Sequence, residues 1–168
     1  MTDSSHVQLR TPTVADGPAL WQMAVDSTTL DVNSPYAYLL WCRDFAACSV
    51  IAEVDGDPAG FVTGYRRPQE PGTLMVWQVA VNAAHRGAGL AGRMLDHLAA
   101  ALVTDGVTHL ETSITPDNAA SRRLFGAFAH RWDTALECSE LFGAGLFPDS
   151  HVAEELFRIG PLRVFLPR

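Results

Sequence analysis

Lysine is absent from this chain: all twelve basic residues are arginine. No lysine nucleophile, Schiff base or phosphate-binding lysine can therefore operate. Positive charge is also in deficit, twelve basic against nineteen acidic residues giving a formal net charge of −7. Nucleic acid and anionic membranes both require clustered positive charge, so neither is expected as a partner. The three cysteines, Cys42, Cys48 and Cys138, are odd in number and form no CxxC pair, which points to a reducing compartment rather than a disulfide scaffold. No His/Cys/Asp cluster has metal-ligand spacing, so no metal is expected. No apolar run approaches the length of a membrane helix, and Met1 to Ser5, polar and uncharged apart from Asp3, does not read as a signal peptide. The expectation is a cytoplasmic protein forming one domain over residues 1–168, with a weak preference for a cationic small-molecule substrate.

What is present changes period along the chain. Val7 and Leu9 suggest a short strand, and Thr13 with Asp16 resembles a capping box ahead of a helix ending near Ser27. Ser34-Pro35 is a strong helix start, giving a helix over residues 35–44 rich in aromatic residues. Strands follow at 49–54 and 59–65, joined by the hairpin signal Asp55-Gly56, and a third at 73–81. Leu90, Met94, Leu95, Leu98 and Leu102 share one helical face, closed at Asp105-Gly106. A strand at 107–114, a helix after Pro116-Asp117-Asn118, an irregular stretch over 136–151 and a closing strand at 156–159 complete the reading. A meander followed by βαβα is α+β: a mixed, mostly antiparallel sheet flanked by helices.

Gly87, Gly89 and Gly92 spell GxGxxG between a strand and a helix. A dinucleotide-binding reading fails on two counts. Asn82 to Arg86 separates the strand from the first glycine, and that strand belongs to hairpins rather than to parallel βαβ units. Arg86, Gly89 and Ala91 also spell RxxGxA, small residues at a helix N-terminus that make a backbone cradle for a diphosphate. A glycine turn that merely caps the helix is the structural alternative.

With RxxGxA opening one helix and Asn118 opening another after a strand, the chain resembles the GCN5-related N-acetyltransferase superfamily over nearly its whole length. The resemblance implies that Arg86, Gly87, Gly89, Ala91 and Asn118 bind acetyl-CoA as co-substrate, and that a bulge near Val79 to Val81 presents a backbone N–H to the thioester carbonyl. Arg66, Arg67, Arg86 and Arg93 suggest a basic patch for the cofactor. The strings LDVNSPYAYLLWCRDF, GFVTGYRRP, LMVWQVAV and ITPDNAASRRLF resemble, more narrowly, the diaminobutyrate acetyltransferases of ectoine biosynthesis. That implies acetylation of the γ-amino group of L-2,4-diaminobutyrate, with Asp31, Asn33, Ser34, Tyr36, Trp77 and Glu154 at the substrate and Tyr36, Trp77 and Asp31 as the catalytic candidates. An acetyltransferase of another small polyamine or amino-sugar, and a non-catalytic acyl-CoA sensor, are the alternatives.

Two positions depart from the superfamily pattern. The strand position often held by a Glu base is Gln78, and the position seven residues after Asn118 often held by a Tyr acid is Phe125. A water chain or a remote carboxylate is then expected as base, and Tyr36, Tyr38 or solvent as acid. Trp41, Leu39 and Leu40 read as core, Arg122 and Arg123 as solvated with a reach of one to the CoA 3′-phosphate as the alternative, His85 as an exposed loop residue and His151 as structural. The segment beyond Ala129 is a candidate homodimer contact.

Overall fold

A computed structural model describes residues 5–164, so the leader reading, which rested on residues 1–5, lies outside the described residues except at Ser5. The strands form a seven-stranded sheet in the order β1-β2-β3-β4-β5-β7-β6. The chain groups into two compact units: residues up to Tyr65 with Gln78–Leu98, and Arg66–Trp77 with Ala99 onward.

In the first unit β1 (Val7–Arg10) pairs antiparallel with β2 (Val50–Val54), which pairs antiparallel with β3 (Asp57–Arg67). Asp55 and Gly56, at φ +53° and +90°, supply the left-handed backbone a two-residue hairpin needs. The Thr13 N–H donates to Asp16 Oδ2 at 2.7 Å, the capping interaction expected, but it starts a 3-10 turn (Val14–Asp16) that leads into α1 (Gly17–Ser27). The second helix, α2 (Pro35–Asp44), has the bounds that Ser34-Pro35 implied. Leu20, Met23, Ala24, Tyr38, Cys42, Ile51, Phe61 and Ala80 form the core beneath these two helices, with Trp21 and Leu30 packed against it. The last residues of β4 (Glu70–Val81) and the first two turns of α3 (Leu90–Val103) belong to this unit. Gly60 lets β3 approach its surroundings: a Cβ there would lie 2.8 Å from the Ala80 carbonyl oxygen and 3.0 Å from Met94 Cε.

In the second unit β4 pairs parallel with β5 (His109–Ile114), from Thr73↔His109 to Val76↔Thr112. After α4 (Ala119–Arg131) the chain forms β6 (Ala135–Phe142) and returns as β7 (Glu154–Gly160), which inserts between β5 and β6, antiparallel to both. The irregular stretch expected over 136–151 is therefore corrected: its first half is an eight-residue strand. β6 is a sheet edge with polar residues on both faces, so its sequence carries no two-residue alternation, and pairing with β7 is what makes it a strand. Glu111, 4% exposed, is held by Arg158 at 2.5 Å and Arg67 at 3.5 Å.

Candidate active site

Beyond β4, the backbone N–H of Asn82 donates to the Ala59 carbonyl at 2.8 Å and its side-chain amide to the Pro58 carbonyl at 2.9 Å. These bonds fix the start of the glycine loop. Arg86 closes it, its Nε donating to the Val81 carbonyl at 3.1 Å. Gly87 and Gly89 then adopt φ +82° and +73°, and a Cβ built on either meets nothing within 4 Å. Both glycines are thus required by backbone conformation, not by crowding. The loop is exposed and runs into α3 at Leu90, and the first turn of an α-helix in general points backbone N–H groups outwards past its N-terminus. Left-handed backbone at a helix N-terminus is an anion-binding concavity with room in front of it, so these residues fit a diphosphate.

A second constellation in the same unit surrounds residues 31–38. Tyr38 is fully buried and its hydroxyl donates to Gln78 Oε1 at 3.0 Å. Gln78 Nε2 donates to the Asp31 carbonyl at 2.9 Å, and Asn33 Nδ2 donates to the same oxygen at 3.3 Å. The Asn33 N–H reaches the Tyr38 hydroxyl at 3.5 Å. Tyr36, two residues away on α2, is 67% exposed. The Tyr38 hydroxyl is committed to this network, which leaves Tyr36 as the exposed phenol of the pair. Ser34 is exposed, while Val79 and Val81 are half-buried. Trp41, read as core, is half-buried against Phe45 (4.8 Å between centroids) and Tyr65 (6.4 Å), its indole N–H donating to the Gly64 carbonyl. Leu39, by contrast, is on the exposed side of α2.

In the second unit Trp77 is half-buried on β4 and Phe125 is buried. Asn118 caps α4, its Oδ1 accepting from the Ser121 N–H at 3.0 Å. His151 stacks on Phe147, donates from Nδ1 to the Val152 carbonyl at 2.6 Å, and places Nε2 3.5 Å from Glu154 Oε1. Arg122 does not match the solvated reading. It is half-buried, ion-paired and hydrogen-bonded to Glu155, and its guanidinium lies 5.2 Å over the Phe157 ring. Arg123 is exposed as expected.

The inferred basic patch needs a similar correction. Arg66 is held by Asp105 at 2.6 Å, and Arg67 by Glu70 at 3.0 Å, so neither is an uncompensated charge for a cofactor. Sequence counting missed this because Asp105 arrives from the far end of α3. Burial pushes the Cys42 thiol up to about 11, helped by the Asp16 charge. The exposed Cys138 thiol is also raised, by desolvation and then by the neighbouring Glu155. Neither is a thiolate near neutrality, against a cysteine relay. Among the described residues no three His, Cys, Asp or Glu side chains group to hold a metal ion, and no helix is long and apolar enough to cross a membrane.

Residues 18–129, which include the glycine loop and the Asp31–Gln78 network, match the model of the acetyltransferase (GNAT) family. The chain belongs to that family. Among GNAT relatives it is 59% identical over 154 residues to the L-2,4-diaminobutyric acid acetyltransferase of Streptomyces avermitilis, covering 90% of this chain and 86% of that one. The enzyme of the same name from Halalkalibacterium halodurans is 41% identical over 162 residues, 96% of this chain and 85% of the other. Among solved GNAT structures, the diaminobutyrate acetyltransferase EctA from Paenibacillus lautus, in complex with its substrate L-2,4-diaminobutyric acid and coenzyme A, superposes with a TM-score of 0.90 at 40% identity, over 98% of this chain and 99% of that one. Within this GNAT sheet, the strand position expected to carry a base is occupied by a buried amide that bonds both a tyrosine and the Asp31 backbone.

Proposed function

We infer that the chain transfers the acetyl group of acetyl-CoA to L-2,4-diaminobutyrate, on the γ-amino nitrogen, in ectoine biosynthesis. The observation that carries this is the likeness, at 40% identity along 98% of the chain, to a diaminobutyrate acetyltransferase solved with that substrate and coenzyme A. The geometry of the glycine loop supports it from the chain's own residues.

When bound, acetyl-CoA supplies an activated acyl carbonyl and a thiolate leaving group. The Arg86–Ala91 loop takes its diphosphate through backbone N–H groups, and the end of β4, at Val79 and Val81, offers backbone N–H to the acyl oxygen. Asn118, already the cap of α4, is assigned to the cofactor by resemblance. Asp31 and Glu154 take the ammonium groups, Asn33 and Ser34 the α-carboxylate, and Trp77 walls the substrate by cation–π contact. The amine reacts only as free base; Gln78 cannot accept its proton, so water or a carboxylate does, and the exposed Tyr36 hydroxyl is the candidate acid. The family match crosses both units, which supports one acetyltransferase domain over residues 1–168. A cytoplasmic setting fits the odd number of cysteines and the lack of a CxxC pair in the sequence, and the exposed Phe142, Leu146 and Val152 with the β6 edge favour a homodimer through this region.

The test is thiol release from acetyl-CoA with diaminobutyrate, lysine, spermidine and an aminoglycoside offered in parallel. Diaminobutyrate is expected to turn over fastest, with the product's NMR spectrum showing acetylation at the γ nitrogen. Faster turnover of another amine overturns the substrate; CoA binding without thiol release from any amine replaces the enzyme with an acyl-CoA sensor.

A further inference from the structure

Gln78 occupies a strand position where a carboxylate would be chemically useful, yet it is 5% exposed and its two ends are differently engaged. Its carbonyl accepts from a hydroxyl and its amide donates to a carbonyl. The segment it holds, residues 31–33, has no regular secondary structure to satisfy its own backbone. Tyr38, packed edge-on against Phe61 at 6.4 Å, anchors the other side of the network by accepting from the Asn33 N–H. The loop that carries Asp31 is therefore tied to β4 and to α2 through one amide and one phenol.

We infer that Gln78 is a positioning residue for the amino-acid substrate, fixing the Asp31 backbone and thereby the direction of its carboxylate towards a substrate ammonium. This rests on the function proposed above, in which Asp31 meets the diamino acid. The network demands an acceptor facing the phenol and a donor facing the Asp31 carbonyl. An amide provides both, and so does a protonated carboxylic acid. An ionised carboxylate provides only acceptors and would face the carbonyl lone pair to lone pair. The position thus selects glutamine against the base its relatives in the superfamily pattern would carry there, because positioning and proton acceptance cannot both be met by one buried group.

Gln78→Glu gives a signature that loss of packing would not. At pH 8 its KM for diaminobutyrate is expected to rise about tenfold, as for a buried hydrogen bond replaced by two acceptors facing each other, with the KM for acetyl-CoA unchanged. As pH falls towards 6 the carboxyl protonates, regains the donor, and the ratio of variant to wild-type KM shrinks. In an Asp31→Asn background the same change adds little further, because it acts through Asp31. Tyr38→Phe, which keeps Gln78 but removes the phenol, is expected to raise the same KM a few-fold, and it carries the test if Gln78→Glu is not recovered folded. A ratio independent of pH, an effect confined to kcat or to acetyl-CoA, full additivity with Asp31→Asn, or an unchanged KM in Tyr38→Phe overturns the positioning role. Wild-type protein that releases no thiol with diaminobutyrate overturns instead the function on which the role rests.

Discussion

Two tyrosines two residues apart on α2 have opposite fates, and the reason is helical geometry. Tyr38 and Cys42 are four apart, share one face and are both buried, so Tyr36 falls on the other side. Which phenol is buried is decided by the helix's orientation on the core, and an aromatic-rich helix does not reveal that alone; the apolar Leu39 is on the exposed side as well. The glycine loop was easier to read, because only glycine tolerates the backbone it needs. Gly89, at φ +73° with open space around it, isolates the conformational effect from any steric one. Gly89→Val is expected to raise the KM for acetyl-CoA about tenfold while leaving the KM for diaminobutyrate near wild type, since a β-branched residue at positive φ reshapes the loop at a cost of about 1–3 kcal/mol. Steady-state kinetics with each substrate varied in turn checks this. The role of Gln78 was illegible for a different reason: its amide meets a carbonyl 47 residues away, a pairing no local spacing encodes.

At the scale of elements, close approach around β3 sets a stability prediction. A methyl group on Gly60 would press on the Ala80 backbone oxygen, which cannot rotate away as a side chain can. Gly60→Ala is expected to cost about 1–3 kcal/mol by overpacking, seen as a lower Tm by differential scanning calorimetry. Elements with local signals were legible from sequence: the Ser34-Pro35 start, the Asp55-Gly56 hairpin and the stop at Gly106, which sits at φ +91°. β6 was not, because Glu137, Ser139 and Glu140 leave its exposed surface looking like loop. An edge strand is defined by its neighbour, and β7 lies in the sequence after an intervening turn (Ala144–Leu146).

For the whole molecule, charge is distributed through pairs rather than fields. Arg10 bridges Asp16 at 2.8 Å and Glu53 at 2.6 Å, tying the start of α1 to the sheet. The hydrogen bond from Arg10 holds the Asp16 carboxyl below its ordinary range. A depressed carboxylate stabilises the fold above its unfolded pKa, near 4, and that stability is lost as pH falls through the folded value. Tm is therefore expected to fall as pH drops from 5 towards 3, and Asp16→Asn to lower Tm at pH 7 while flattening that acid slope. Thermal melts across this range decide it; an Asp16→Asn profile parallel to wild type would remove the ion pair from the account. The net charge of −7 first suggested a cationic partner. With Arg66, Arg67, Arg122 and Arg158 all bonded to carboxylates, Arg86 and Arg93 are the members of the inferred patch that remain to support the loop's backbone N–H groups.

Those ion pairs have one further property. Every one between Arg10, Arg66, Arg67, Arg122 or Arg158 and its acid is made by a guanidinium, and the chain has no ε-amino group anywhere. A guanidinium stays protonated and does not attack a thioester, whereas a side-chain amine near a bound acyl donor would compete with the substrate for it. A protein that gathers acetyl-CoA at its surface thus offers it no side-chain amine, and its stabilising contacts are chemically inert to self-modification.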